Sequence, residues 1–213
     1  MLFTASISSN SSSGYAAQSR PPRTLQMLEP FWPTENVDPK SLVSAGDWQG
    51  LTLIFSGLVA LSGRKSVRPA LAESWTQSIG GLEWVFTLRK NPKWSDGSVM
   101  KASEVTQSLN RILSGTAHTK LSDFVGKVLS REAEVGGAGA RGQVIIHLKK
   151  PAPANFLTLL AFADCAITHP TAYAIPGAFS WLAPVSGPFQ LLSRDAEKII
   201  LRKNVHYWNA DLV

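Results

Sequence analysis

Side chains that commonly carry chemistry are few and scattered in this chain of 213 residues. The single cysteine, Cys165, lies in an apolar run, so the chain can form neither an internal disulfide nor a multi-cysteine metal site. Its four histidines lack the His-x3-His spacing of common zinc sites; they are His118, His147, His169 and His206. No nucleophile elbow, Walker loop or Gly-x-Gly-x-x-Gly motif is present. The sequence therefore predicts no enzyme, cofactor or metal.

The charge of the chain is basic but dispersed. Its 21 Lys and Arg residues exceed its 15 Asp and Glu residues, which gives a net charge of +6. The adjacent basic pairs stand far apart, at Arg64-Lys65, Arg89-Lys90, Lys149-Lys150 and Arg202-Lys203. A nucleic-acid-binding face needs such residues clustered. We therefore expect no nucleic acid partner.

Hydrophobic periodicity indicates paired strands with helices between them. Alternating apolar residues predict three hairpins: 71–77 with 83–89, 128–135 with 143–149, and 189–193 with 198–202. Ser103 is placed to cap a helix whose buried face has apolar residues three or four apart. This mixture predicts an α/β fold of the mixed α+β kind.

The first 22 residues are rich in serine and have no clear apolar core. We expect them to be a disordered N-terminus, since few apolar groups are available for burial. The segment Tyr15–Gln18 also has the small-residue character of a cleavage site, so a signal-peptide remnant is the alternative.

Four sequence blocks occur in a characteristic order. They are RPALAESW at 68–75, WSDG at 94–97, SGPFQLL at 186–192 and RKNVHYWN at 202–209. With these blocks, the chain from about residue 25 to 213 resembles the solute-binding proteins of peptide-type ABC importers, which include oligopeptide, dipeptide and nickel binders. The resemblance marks Trp94, Asp96, Gly97, Gly187 and Pro188 as structural residues.

The resemblance implies a periplasmic-binding-protein-like fold in which two lobes close on a ligand. Residues 23–55 and 183–213 would form the core-sheet subdomain of lobe I, and residues 56–182 an inserted, hairpin-rich subdomain. On this template we expect the second lobe to be absent from these 213 residues and the clamp to be incomplete. The implied protein is a periplasmic or extracytoplasmic monomer that captures an oligopeptide, dipeptide or similar small solute. Its partners would be ABC permease and ATPase subunits.

The resemblance implies ligand contacts in three segments. The first contains Val43, Ser44 and Ala45, the second Leu121 and Phe124, and the third Asp164. Asp164 is the one carboxylate of an apolar run and could pair with a cation. The alternative for Asp164 is an exposed charge at a helix terminus, and for Leu121 and Phe124 it is core packing.

Two other functions remain open on the sequence. Solute-binding regions of this type also serve as ligand-sensing domains of bacterial transcription regulators, behind a helix-turn-helix. The 213 residues could also be an inactive truncated fragment.

Overall fold

The structure is a computed structural model. It describes residues 2–7, 23–28, 38–39, 45–63, 66–113, 129–134, 142–148, 150–175, 179–180, 182–194 and 198–210. The strands are β1 (Leu2–Ile7), β2 (Arg23–Leu28), β3 (Val59–Ser62), β4 (Ser66–Pro69), β5 (Ala72–Gln77), β6 (Glu83–Leu88), β7 (Leu129–Glu134), β8 (Gln143–Leu148), β9 (Phe189–Arg194) and β10 (Lys198–Lys203). The α-helices are α1 (Ala45–Ile54), α2 (Ala102–Leu113) and α3 (Phe156–Leu160), and 3₁₀ turns span Ala163–Cys165 and Pro170–Tyr173.

The first sheet joins the two ends of the chain in the order β2-β1-β10-β9. β1 runs parallel to β10 and antiparallel to β2, and β9 pairs with β10 as an antiparallel hairpin. Ile199 and Leu201 of β10 point into the core. The predicted final hairpin is therefore confirmed.

The N-terminus differs from the expectation of disorder at residues 2–7. These residues form β1, a central strand that lies between β2 and β10. Its partner β10 is almost the whole chain away, and Leu2 lies opposite Lys198. The serine-rich composition suggested disorder. The pairing with β10 could not be foreseen, because local composition carries no information on a partner so distant in sequence. The rest of residues 1–22 lies outside the described residues.

The second sheet has the order β5-β6-β8-β7, and β3 and β4 form a separate hairpin. In β6 the side chains alternate between partly buried and buried positions, with Trp84, Phe86 and Leu88 inward. β8 repeats that alternation and places Ile146 opposite Trp84. Period-2 burial of this kind is what a sheet with one covered face requires. The hairpins predicted at 71–89 and 128–149 are confirmed.

The described residues form two apolar cores, each built from different helices and strands. The larger packs β5, β6 and β8 against α2 and α3, around Phe86, Trp94 and Phe156. The smaller packs α1 against β9 and β10, around Leu51 and Leu201. Within the described part of the chain, no helix is long and apolar enough to cross a bilayer.

The start of α2 corrects one expectation. The helix begins at Ala102, so Ser103 lies inside its first turn and is not the cap. The carboxylate of Glu104 accepts a hydrogen bond from the backbone N–H of Lys101 at 2.9 Å. An acidic side chain in the first turn also interacts favourably with the helix dipole.

Candidate ligand-binding site

Trp94 anchors the helix that leads to one predicted ligand segment. Its side chain is fully buried, and its indole N–H donates to Glu104 Oε2 at 3.0 Å. This is the same oxygen that receives the Lys101 amide. The ring of His169 meets the indole edge-on at 4.9 Å. Trp94 therefore fixes where α2 begins and joins it to the segment around His169.

Asp96 and Gly97 shape the turn beside Trp94. Asp96 Oδ1 accepts hydrogen bonds from the amide and the hydroxyl of Ser98, at 2.9 and 2.6 Å. Burial raises the pKa of Asp96, but these two hydrogen bonds and nearby His169 outweigh it, so the pKa lies below its ordinary value. Gly97 has a φ of 88°, a left-handed conformation that side chains disfavour.

Ser186 and Gly187 fasten the crossing between the two cores. Ser186 Oγ accepts from the Ser56 amide at 2.9 Å and donates to the Ile167 carbonyl at 2.7 Å. The Gly187 amide donates to the Ile54 carbonyl at 2.8 Å. A Cβ on Gly187 would stand 2.3 Å from the carbonyl carbon of Ile54, so only glycine fits. Pro188 accepts a backbone hydrogen bond from Asn204 at 2.8 Å.

Arg111, near the end of α2, forms a bidentate ion pair with Asp38. Arg111 Nη1 donates to Asp38 Oδ1 at 2.8 Å, and Nη2 donates to Oδ2. The side chains are only 17% and 12% exposed. The guanidinium also lies 4.6 Å from the ring of Tyr173 and 5.7 Å from that of Phe179. We call Asp38, Arg111, Tyr173 and Phe179 the Arg111 cluster.

Tyr173 is the polar end of this cluster. Its hydroxyl is buried and has no hydrogen-bond partner among the described residues. Burial raises the pKa of Tyr173; the guanidinium of Arg111 opposes this shift and the carboxylate of Glu104 reinforces it. The tyrosine is therefore neutral at ordinary pH, and its ring contributes a cation–π contact.

The Arg111 cluster joins described residues that lie near the predicted ligand segments in sequence. Asp38 lies just before Val43–Ala45, and Arg111 lies in the last turn of α2, before Leu121 and Phe124. Within α2, Ser108 Oγ accepts from the Thr168 amide at 2.9 Å, which joins the helix to the stretch after Asp164. The cluster therefore gathers three distant segments at one place.

The predicted contact residues are only partly within the described structure. Val43, Ser44, Leu121 and Phe124 lie outside the described residues, and Ala45 is the first residue of α1. Asp164 lies in a 3₁₀ turn and is 3% exposed. The alternative that Asp164 is an exposed helix-terminal charge is therefore wrong. A role for these residues in ligand contact stays a prediction.

Sequence reasoning missed the Asp38–Arg111 pair. The two residues are 73 positions apart, and each has an ordinary local explanation, in a Pro-containing loop and on a polar helix flank. One signal was available: Arg111 lies three residues after Ser108, beside the buried face of α2. Among the described residues, no group of three His, Cys, Asp or Glu side chains could hold a metal ion.

Comparison with known families gives a match over more than half of the chain. Residues 66–213 match the model "Bacterial extracellular solute-binding proteins, family 5 Middle". The matched region begins with β4 and includes the WSDG turn, α2, the SGPFQLL block and the RKNVHYWN block.

Curated relatives are similar over most of this chain. The glutathione-binding protein GsiB of Salmonella choleraesuis is 30% identical over 160 residues, which cover 74% of this chain and 30% of the relative. The dipeptide-binding protein DppE of Bacillus subtilis is 26% identical over 181 residues, which cover 78% of this chain and 33% of the relative. This chain therefore spans about a third of the length of these relatives.

Solved structures show the same fold. The oligopeptide-binding protein OppAIV of Borrelia burgdorferi superposes with a TM-score of 0.71 at 25% identity, over 83% of this chain and 38% of that chain. The murein tripeptide-binding protein MppA in its unliganded open form has a TM-score of 0.68 at 23% identity, over 83% of this chain and 37% of that chain. The predicted α/β periplasmic-binding-protein-like fold is confirmed.

Proposed function

The chain belongs to family 5 of the bacterial extracellular solute-binding proteins, and on this premise we propose that it supplies the solute-binding component of an ABC importer. It captures a peptide or similar small solute outside the cytoplasm and presents it to a membrane permease, while a separate subunit hydrolyses ATP. Supporting this are relatives named for binding glutathione and dipeptides. The observation that carries the proposal is the family match over residues 66–213.

The structural support for ligand capture is the position of the Arg111 cluster. Asp38, the end of α2 and the described residues after Asp164 lie next to one another there. Peptides of different sequence share their backbone groups and terminal charges, so a surface of loops and helix ends can bind many of them. Ala45, at the start of α1, is the described residue through which we expect such contacts to begin.

Ligand-observed NMR by saturation transfer tests this proposal directly. The panel is a dipeptide, a tripeptide, a pentapeptide and glutathione, with sucrose as the control solute. We expect transfer to at least one peptide, with dissociation constants on the order of millimolar, because one lobe encloses less of the ligand than a closed site. Sucrose should give no transfer. Absence of transfer to every peptide would contradict the proposal.

A further inference from the structure

An apolar groove lies at the C-terminal end of α1, next to the turn that holds the predicted contact Asp164. Its volume is about 670 Å³, within the range of small-molecule sites. Most of its lining residues are apolar, among them Phe55, Ala161 and Phe162. The uncharged polar members of the lining are Thr52, Ser56, Tyr207 and Asn209. Ala45 is at the opposite end of α1, about 15 Å away along the helix axis. The groove is therefore separate from the start of α1, where ligand contact is predicted.

One charged side chain lies at the edge of this groove. Among the described residues that line it, Arg68 is the only one with a formal charge. Arg68 is exposed on β4, and its guanidinium is 5.9 Å from the ring of Trp208. An apolar surface with a single cation and no carboxylate complements a molecule with an apolar body and one negative charge.

A basic cleft is lined in part by Trp208. It encloses about 290 Å³ and is lined by Arg89, Lys90, Lys93 and His206, with Glu73 as the one carboxylate among its described lining residues. Asn91, between the two lysine positions, adopts a left-handed conformation with a φ of 50°. Left-handed backbone outside glycine is uncommon and is a feature of turns and of functional sites.

The segment from His206 to Asn209 forms a shared wall between the two cavities. Tyr207 and Asn209 line the apolar groove, while His206 and Trp208 line the basic cleft. The guanidinium of Arg89 lies 4.0 Å from the Trp208 ring. Arg89 Nε also donates to the carbonyl of Ala70, a residue of the groove, at 2.5 Å. A molecule in the groove would therefore have cations directly beside it.

We propose that the apolar groove and the basic cleft together bind an anionic amphiphile, a molecule with an acyl chain that ends in a carboxylate. The acyl chain lies along the alanine and phenylalanine side chains of the groove. The carboxylate binds Arg68 and lies in the positive field of the basic cleft. This site goes beyond the proposed peptide-binding function and uses no residue of the Arg111 cluster.

Isothermal titration calorimetry of the 213-residue chain tests the site with four probes. Octanoate and decanoate have both the chain and the charge, butanoate has the charge with a short chain, and octan-1-ol has the chain without the charge. We expect octanoate to bind and decanoate to bind more tightly, since longer chains bury more apolar surface. Octan-1-ol should bind about tenfold more weakly than octanoate, the cost of losing a charged hydrogen bond.

Two variants locate the binding. Arg68→Gln should weaken octanoate binding about tenfold and leave octan-1-ol binding unchanged, because only the charge contact is lost. Ala161→Phe fills the groove and should weaken both ligands. Arg202→Gln is the matched control, since Arg202 is an exposed strand residue that lines neither cavity.

Three results would overturn the proposal. The first is equal binding of octanoate and octan-1-ol, and the second is butanoate binding as tight as that of octanoate. The third is an Arg68→Gln variant that binds octanoate like Arg202→Gln. If Ala161→Phe fails to fold by circular dichroism, the Arg68→Gln comparison decides alone, because Arg68 is exposed and outside the core.

Discussion

At Arg111, a permanently charged guanidinium sits in a place with little access to water. Its Nη1 and Nη2 atoms donate to the two carboxylate oxygens of Asp38. The guanidinium also lies close to the rings of Tyr173 and Phe179. Bidentate geometry of this kind is specific to arginine, because a lysine ammonium cannot supply two parallel donors. The pair joins two segments that are distant in sequence. We therefore expect its loss to destabilise both segments.

Replacing Arg111 with methionine tests the ion pair. Arg111→Met should lower the free energy of unfolding by about 3 kcal/mol, because Asp38 would be left buried without its cation. Arg111→Met combined with Asp38→Asn should recover part of the loss, since the uncompensated charge is then gone. Urea denaturation measures both.

The matched control for Arg111 is again an exposed arginine. Arg202→Gln should change the unfolding free energy by less than about 0.5 kcal/mol, as surface substitutions usually do. An Arg111→Met variant as stable as Arg202→Gln would show that the ion pair does not stabilise the fold.

Cys165 should be chemically inert in the folded chain. Burial, with a smaller contribution from the neighbouring charge of Asp164, raises the pKa of the thiol to about 12. Dithionitrobenzoate at pH 8 should therefore react with the chain only after urea is added. Because the folded state favours the neutral thiol, its contribution to stability should fall as pH rises from the ordinary thiol pKa toward 12. Rapid reaction of the native chain at pH 8 would contradict the described burial.

The pKa of Asp96 is lowered, whereas that of Cys165 is raised, so the stability that Asp96 contributes is lost at low pH instead of high pH. Ser98→Ala removes the hydroxyl that donates to Asp96, so the pKa of Asp96 should rise toward its ordinary value. Titration of the carboxyl carbon by NMR measures this. In the unmodified chain, the lowered pKa contributes stability above the unfolded pKa, and this contribution is lost as pH falls through the folded pKa. An unchanged pKa in Ser98→Ala would rule out the hydroxyl as the cause.

Among the secondary-structure elements, α1 depends on a close backbone contact with the SGPFQLL block. Gly187→Ala places a methyl group against the backbone of Ile54 and breaks the Gly187 hydrogen bond to it. We expect a loss of about 3 kcal/mol, at the upper end of overpacking effects, in a denaturation measurement. Gly63→Ala is the control: its site is open, so only the left-handed φ of 68° is costly, by about 1 kcal/mol. Equal losses in the two variants would contradict this account.

Elements with a repeating apolar pattern could be predicted from the sequence. The strands β6 and β8 follow period-2 alternation, so their buried faces were predictable. β1 could not be predicted, because LFTASI has no strict alternation and its partners are set by tertiary structure. The start of α2 was misplaced by two residues. A cap at Ser103 would make Glu104 the first helical residue, whereas the helix begins at Ala102 and the Glu104 side chain accepts from the Lys101 amide.

On the scale of the whole molecule, the family could be predicted from the sequence, but the contacts between distant residues near the predicted ligand segments could not. Four sequence blocks pointed to the solute-binding family. WSDG forms a turn, SGPFQLL begins at the crossing between the two cores and continues into β9, and the other two blocks include parts of β5 and β10. Contacts near the predicted ligand segments join residues far apart in sequence, such as Asp38 with Arg111. Such pairs are decided by the packing of whole elements, which local patterns do not reveal.

Residue-resolved NMR of the 213-residue chain, titrated with a tripeptide, tests most directly whether the Arg111 cluster marks the ligand-binding face. We expect the largest amide shift changes at Ala45 and the first turn of α1, at Arg111 and around Thr168 to Tyr173. The amides of Lys90 and Lys93 in the basic cleft should not move. Shift changes confined to the basic cleft or the apolar groove, with none beside the Arg111 cluster, would contradict the account.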